Sequence, residues 1–281
     1  MDIVRVVTDS TADLPPELIA QSGVAVVPLT VSFGDKSFQD GVTIDAPTFF
    51  QQVERGARPT TSQPAPEAFA TVFRRLADEG ASAIVSIQIS SKLSGTFGSA
   101  ARAAQGLRES GLSVPIEVID SEQASLGMQF GVLAAAEAAR SGNDLAGVAA
   151  VAREVLKRSS IYLVADDLGY LQRGGRIGQA QRVAGTLLNV KPIITLRDGA
   201  VVALDRPRTR RKAYERLAEY LRELAPVESL IVGQANQEAG DQLAEIVARV
   251  YDGPTRRAWA GPTIGTHVGP GAAGLGVLRA G

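Results

Sequence analysis

Cysteine is absent from this chain of 281 residues, and histidine occurs only once, at His267. The lack of cysteine excludes disulfide bonds, thiolate nucleophiles and cysteine-based metal sites. A single histidine is too few for a histidine-rich metal site, and no segment resembles a carboxylate loop for calcium. The sequence therefore predicts neither a metal nor a cofactor.

An excess of either charge is also missing. Lysine and arginine number 29 against 30 aspartate and glutamate residues, which gives a net charge of −1. Dedicated nucleic-acid binders usually carry a basic excess, so this balance argues against a nucleic-acid partner. No stretch approaches the roughly 18 apolar residues of a membrane span, and the first residues lack the pattern of a secretory leader. We therefore expect a cytoplasmic protein without integral membrane association.

The first half of the chain alternates between strand and helix patterns. Strands are predicted at residues 3–8, 83–89 and 116–120, with extended structure over 24–33. Helices are predicted at 15–21, 65–79, 95–108, 126–141 and 145–158. Strands separated by helices are typical of a parallel sheet with helices on both faces. The pattern predicts an N-terminal three-layer α/β domain over residues 1–158.

The pattern changes from residue 159 onward. A hairpin is predicted from 191–196 and 200–204, turning at Arg197-Asp198-Gly199, with further strands at 161–164 and 229–233. Helices are predicted at 179–188, 211–224 and 237–251. This mixture predicts a C-terminal mixed-sheet α+β domain over residues 159–281. Because two domains are expected at this length, the cleft between them is the expected ligand site.

Segments rich in glycine and hydroxyl residues are the best candidates for binding an anion. Ser94-Gly95-Thr96 falls where a strand ends and a helix begins, so free N–H groups and the positive helix end can meet a carboxylate or phosphate. An ordinary helix cap by Ser94 is an equal alternative. Thr61-Ser62 reads as a capped helix start unless a second hydroxyl site lies opposite it. His267 lies among glycines, which favours a donor facing a ligand.

Two basic segments stand out. Arg173-Gly174-Gly175-Arg176 is a turn of the kind that is usually solvated surface. The run from Arg206 to Lys212 holds five cations just before a helix, where they oppose the helix dipole. A solvated patch is the commoner explanation, while an acidic partner surface or an anionic ligand remains open.

The sequence gives little support for a serine hydrolase or another enzyme. Ser94 lacks the glycine two residues upstream that a nucleophile elbow requires. A triad of Ser94, His267 and an aspartate is nevertheless possible, so a serine hydrolase of acyl esters stays open. A regulatory scaffold acting through the basic surface of residues 206–212 is the other alternative.

A resemblance to a known family runs in order along essentially the whole chain. Its motifs are Val7-Thr8-Asp9-Ser10-Thr11-Ala12-Asp13-Leu14, Thr61-Ser62-Gln63-Pro64, Ser90-Ser91-Lys92-Leu93-Ser94-Gly95-Thr96, Asp120-Ser121, Tyr170-Leu171-Gln172-Arg173-Gly174-Gly175-Arg176, Lys191-Pro192 and Gly269-Pro270-Gly271. Together they resemble the DegV family of fatty-acid-binding proteins. The resemblance implies a non-enzymatic carrier with two α/β domains that enclose a long-chain fatty acid in an apolar tunnel. It also implies that hydroxyls matching Thr61 or Ser62 and Ser94 hold the carboxylate, with help from His267.

The resemblance further implies a partner. In bacteria that have a fatty-acid kinase, such proteins present the carboxylate to the kinase catalytic subunit. The kinase phosphorylates the acid with ATP and so supplies acyl phosphate for phospholipid synthesis. On this resemblance, Arg173 and Arg208 would lie near the tunnel entrance and serve kinase docking or transfer.

Overall fold

The computed structural model describes residues 3–165, 167–180 and 190–281. In this part of the chain two large sheets and one small sheet are packed together with helices. The predicted class, a parallel three-layer α/β region followed by a mixed-sheet α+β region, is confirmed. The boundary between residues 158 and 159 stays a prediction, although the first strand of the second large sheet does begin at Ser159.

The N-terminal sheet is parallel, with the strand order β2-β1-β6-β7. Its strands are β1 (Val4–Asp9), β2 (Ala25–Val27), β6 (Ala83–Gln88) and β7 (Ile116–Asp120). Helices α3 (Pro66–Asp78) and α4 (Thr96–Glu109) cover one face, where Phe69 and Phe73 pack on Ile84. Helices α5 (Ser125–Arg140) and α6 (Leu145–Arg158) cover the other face, where Met128 and Val132 join a second cluster. Helix α1 (Pro16–Ser22) lies between β1 and β2 in the chain.

A small antiparallel sheet with the strand order β4-β3-β5 is separate from the N-terminal parallel sheet. The strands are β3 (Thr30–Phe33), β4 (Lys36–Gln39) and β5 (Thr60–Ser62), with α2 (Ala46–Glu54) between β4 and β5. The extended structure predicted over residues 24–33 is confirmed at β2 and β3, which belong to different sheets. The helix start predicted after Thr61-Ser62 is confirmed to within one residue, since α3 begins at Pro66, but its N-cap residue Ala65 forms no side-chain cap hydrogen bond.

The C-terminal sheet has the order β10-β9-β8-β13-β11-β12. Its strands are β8 (Ser159–Val164), β9 (Ile193–Arg197), β10 (Ala200–Asp205), β11 (Val227–Gln234), β12 (Thr255–Trp259) and β13 (Ala273–Arg279). Only β11 and β12 run parallel. The predicted hairpin is confirmed, because Asp198 and Gly199 both have positive φ and allow a two-residue turn between β9 and β10.

The helices after β8 include α7 (Gly169–Arg173), α8 (Arg210–Glu223), α9 (Gln237–Val247) and α10 (Pro262–Val268). Helices α8 and α9 cover one face of the C-terminal sheet through Leu217, Leu221 and Leu243. The helix predicted over residues 237–251 is too long, since it ends at Val247. The helix predicted over residues 179–188 lies mostly outside the described residues, and only a 3-10 turn at Gly178–Ala180 is described there.

Helix α5 contacts strands of both large sheets, β1 on one side and β8 and β13 on the other. It therefore joins the two halves of the protein and stands at the edge of the space between them. In the part of the chain that the structure describes, every helix is too short or too polar to cross a membrane.

Candidate functional site

An apolar cavity lies between the two large sheets. It holds about 1040 Å³ of empty space, counting the part that opens to solvent. Strands β8, β9, β10, β11 and β13 form one wall, while the loop after β6, the first turn of α5 and α10 form the others. Its wall is almost entirely apolar, which suits an apolar ligand.

The single histidine reaches this cavity from α10. His267 lies in the last turn of that helix, and its Nε2 atom is 2.9 Å from Thr61 Oγ1 on β5. Both α10 and β5 pack against β3, which explains how residues 206 positions apart in sequence come together. The glycines beside His267 in the sequence are Gly265, within the helix, and Gly269, which caps its end.

The surroundings of His267 keep its ring neutral. Burial and, to a smaller extent, the positive charge of Arg176 together lower the pKa of His267 to about 4. Its Nδ1 atom is buried and has no hydrogen-bond partner among the described residues. The ring fits closely against Gly174, where a Cβ atom would overlap Nδ1. At neutral pH the Thr61–His267 pair is therefore an uncharged group of donors and acceptors on an apolar wall.

Ser94 lies on the loop between β6 and α4. Its Oγ atom is 2.8 Å from Thr96 Oγ1 and accepts a weak bond from the Thr96 backbone N–H at 3.3 Å. The helix-cap alternative is therefore partly correct, although Gly95 occupies the N-cap position itself. Gln63 lies directly over Gly95, where any Cβ would overlap the Gln63 amide.

The structure brings together four of the six predicted ligand-binding residues. Thr61, Ser62, Ser94 and His267 all line the cavity. Gly95 and Thr96 do not line it, because Gly95 is covered by Gln63 and Thr96 is fully buried. That the four lining residues hold a carboxylate stays a prediction.

Arg176 is a charged residue of the cavity wall that was not predicted from the sequence. It lines the cavity, and its guanidinium donates to the carbonyls of Leu93 at 3.0 Å and Gly174 at 2.6 Å. The surface interpretation of the Arg173–Arg176 turn is therefore wrong for Arg176. It holds for Arg173, which is exposed and stacks on the Tyr170 ring at 4.5 Å.

Arg208 is exposed just before α8 and, like Arg173, is not part of the cavity wall. The docking or transfer role predicted for these two arginines stays a prediction.

The geometry does not assemble a serine hydrolase. A nucleophilic serine needs a base within hydrogen-bond reach, and that base needs an orienting carboxylate. Ser94 Oγ instead pairs with Thr96, and His267 Nε2 pairs with Thr61. Because His267 Nδ1 also has no partner in the described ranges, the third member of a triad is missing from them.

Three buried carboxyl groups hold the elements that border the cavity. Asp13 accepts the Gly261 N–H at 2.9 Å and the Ser125 hydroxyl, while Asp40 accepts the Thr263 N–H at 3.3 Å. These bonds fix the start of α10 to Asp13 and Asp40 of the N-terminal half and fix the first turn of α5 to Asp13. Burial raises the pKa of Asp13 well above its usual value and also raises the pKa of Asp40.

Asp9, the third of these carboxyl groups, caps the short turn at Ser10–Ala12 and accepts the Ile89 N–H at 2.9 Å. Burial raises the pKa of Asp9 to about 6, even though hydrogen bonds from Thr11 and Ile89 act in the opposite direction. Asp9 thus ties the end of β1 to the start of the loop that carries Ser94.

Comparison with known proteins identifies relatives over nearly the full length. The profile of a family of uncharacterised proteins, the DegV family, matches residues 3–280. A DegV domain-containing protein of Streptomyces coelicolor is 37% identical over 277 residues, covering 97% of each chain.

Solved structures agree with this sequence similarity. A DegV family protein from Thermus thermophilus, described as binding fatty acid, is 36% identical with a TM-score of 0.87, covering 98% of this chain and 99% of its own. A stearic acid-binding protein from Eubacterium ventriosum is 28% identical with a TM-score of 0.89, covering 99% of this chain and 98% of its own.

Proposed function

The chain belongs to the DegV family, and from this membership together with the cavity we propose that it binds one long-chain fatty acid between its two large sheets. The acyl chain occupies the apolar cavity, and the carboxylate lies at the end formed by Thr61, Ser94 and His267. The observation that carries the proposal is the pairing of an almost wholly apolar wall with the hydrogen-bonded Thr61–His267 pair and the nearby polar side chains of Ser94 and Arg176.

Burial of the acyl chain supplies the affinity in this proposal. A chain with about 14 methylenes gains roughly 11 kcal/mol in leaving water, at about 0.8 kcal/mol per methylene, before ordering and association costs are subtracted. The carboxylate contributes orientation more than affinity, because its loss of hydration offsets much of what its hydrogen bonds return. Thr61 and His267 can contact it without burying a second charge.

The carrier role extends to a partner enzyme. A fatty-acid kinase would transfer the γ-phosphoryl group of ATP to a carboxylate oxygen, releasing ADP and leaving an acyl phosphate on the carrier. Exposed Arg173 lies on α7, directly beside the Gly174 that packs on His267, so a docked kinase would meet it close to the carboxylate end. Exposed Arg208 offers a second cation for an acidic docking surface.

Native mass spectrometry of the freshly purified protein tests the binding proposal directly. We expect one fatty acid per chain, which organic extraction would then identify. A protein that is empty and also takes up no added palmitate or oleate would refute the proposal.

Matched variants test the carboxylate end. Thr61→Val removes the hydroxyl that pairs with His267, whereas Thr60→Val changes the preceding residue of β5, whose side chain points to the opposite face. We expect Thr61→Val to slow kinase-coupled turnover at least tenfold while Thr60→Val leaves it unchanged. Equal behaviour of the two variants would place the carboxylate elsewhere.

A further inference from the structure

The far side of the cavity is built around one leucine. Leu126, in the first turn of α5, is 3% exposed and lines the cavity. On its other side it packs into a closed cluster with Phe130, Ile231 and Leu278. Leu126 is therefore the boundary between the empty space and the solid core behind it.

Glycines on two neighbouring strands make room for this leucine. A Cβ atom on Gly233 would overlap Leu126 Cδ1, and one on Gly276 would lie 2.6 Å from Leu126 Cβ. Gly233 pairs in register with Gly274, and both line the cavity. At these glycines the cavity wall consists of backbone without side chains. This part of the wall ends where Leu126 packs against the sheet.

Leu93, the neighbour of Ser94, and Leu126 lie beside different strands of the C-terminal sheet. Leu93 accepts a hydrogen bond from Arg176 and packs with Ile194 and Val201 on β9 and β10. Leu126 lies instead over Gly233 of β11 and Gly276 of β13. In the order β10-β9-β8-β13-β11, the strands beside Leu93 are two to four strand spacings from the strands beside Leu126.

This separation sets a length. Two to four spacings of about 4.8 Å give about 10 to 19 Å. A zigzag hydrocarbon with bonds of about 1.5 Å at about 111° advances about 1.25 Å per carbon, so the row accommodates at most about 15 carbons. We infer that Leu126, seated on Gly233, sets the maximum length of the acyl chain. The inference rests on the proposed function, since it concerns the tail of the same ligand.

Two substitutions move the boundary in opposite directions. Leu126→Ala removes the atoms beyond Cβ, which span about 2.5 Å and correspond to about two carbons. Gly233→Ala pushes the leucine into the cavity and shortens it. Leu278→Ala is the matched control, because it deletes the same atoms from the same cluster without touching the cavity wall.

The experiment measures affinities of the delipidated protein for saturated acids of 12, 14, 16, 18 and 20 carbons by displacement of a fluorescent fatty acid. In the wild-type protein affinity should rise about fourfold per added carbon up to an optimal length and then fall. We expect Leu126→Ala to move the optimum about two carbons higher, Gly233→Ala to move it lower, and Leu278→Ala to leave it in place.

The outcomes separate this inference from the proposed function. If the wild-type protein binds none of the acids, the proposed function fails and the inference fails with it. If the wild-type protein binds them but Leu126→Ala keeps the same optimum, the inference alone is overturned. Circular dichroism and thermal unfolding verify that each variant is folded. If Gly233→Ala does not fold, the comparison of Leu126→Ala with Leu278→Ala still shows whether Leu126 sets the optimal chain length.

Discussion

Acidification of the ligand-free protein should leave His267 neutral until the pH approaches 4. An exposed histidine titrates near 6.5, but burial and the charge of Arg176 lower the pKa of His267 to about 4. The difference corresponds to about 3.4 kcal/mol, since one pKa unit is about 1.36 kcal/mol. Because the ring is only partly buried, this figure is an upper value.

The sign of the effect on stability follows from proton binding. Between pH 6.5 and 4 the unfolded chain binds a proton at His267 that the folded protein does not bind. Stability from this group is therefore complete above pH 6.5 and decreases as the pH falls, by up to about 3.4 kcal/mol near pH 4.

Asp9 acts in the opposite direction. Because burial raises its pKa from 3.8 to about 6, the folded protein binds a proton there before the unfolded chain does. As the pH falls from 6 to 3.8 the folded state regains about 3 kcal/mol from Asp9. In the wild-type protein the two contributions to the free energy of unfolding would therefore largely cancel, and the contribution of His267 could not be measured.

A comparison with His267→Gln isolates that contribution. Urea unfolding at several pH values between 7.5 and 4 gives the free energy of unfolding of each protein, and the aspartate effects cancel in the difference. We expect the difference to be constant above pH 6.5 and to shift in favour of His267→Gln below it, by as much as about 3.4 kcal/mol. A difference that stays constant to pH 4 would refute the burial argument.

Because His267 is the sole histidine, NMR of histidine-labelled protein provides an independent reading. One set of ring signals should appear and should titrate near pH 4 in the ligand-free protein. Titration near 6.5 would show that the ring is solvated. A bound carboxylate beside the ring should raise this pKa, since a nearby negative charge favours the protonated form.

Three further predictions follow from the site. Gly174→Ala should displace the His267 ring and return its pKa toward 6.5, whereas Gly106→Ala, where a Cβ meets only open space, should not; histidine NMR distinguishes them. The double substitution Thr61→Ala with Ser94→Ala should reduce kinase-coupled turnover more than fatty-acid affinity, and equal losses in titration and turnover would contradict a role in orientation. A fluorophosphonate probe should leave Ser94 unlabelled in the folded protein, because its hydroxyl lies against Thr96 rather than His267, and labelling would revive the hydrolase alternative.

Elements with regular local patterns could be identified from the sequence. The buried strands at Val4–Asp9 and Ala83–Gln88 and the helices between them follow apolar spacing, which depends only on near neighbours. The turn at Asp198-Gly199 was predictable because this pair adopts the positive φ angles that a tight hairpin needs.

Strands whose residue types are determined by contacts with distant parts of the chain could not be predicted from the sequence. β13 occupies a central place in the C-terminal sheet, yet its glycines lower its apparent strand propensity. Gly276 is required there because Leu126, 150 positions earlier, occupies the space of its side chain. β12 was also missed, since the sequence of Thr255–Trp259 carries two exposed or half-exposed arginines.

By itself the sequence determined the α/β class and the hairpin, and it proposed Ser94 and His267 as candidates, because these depend on residue chemistry and short-range periodicity. Thr61 became a candidate only through the family resemblance. Only the tertiary structure placed His267 against Thr61, turned Arg176 toward the cavity and set Leu126 on Gly233. Each of these contacts joins residues more than 80 positions apart. Such contacts depend on how the sheets and helices pack, and no local pattern encodes that packing.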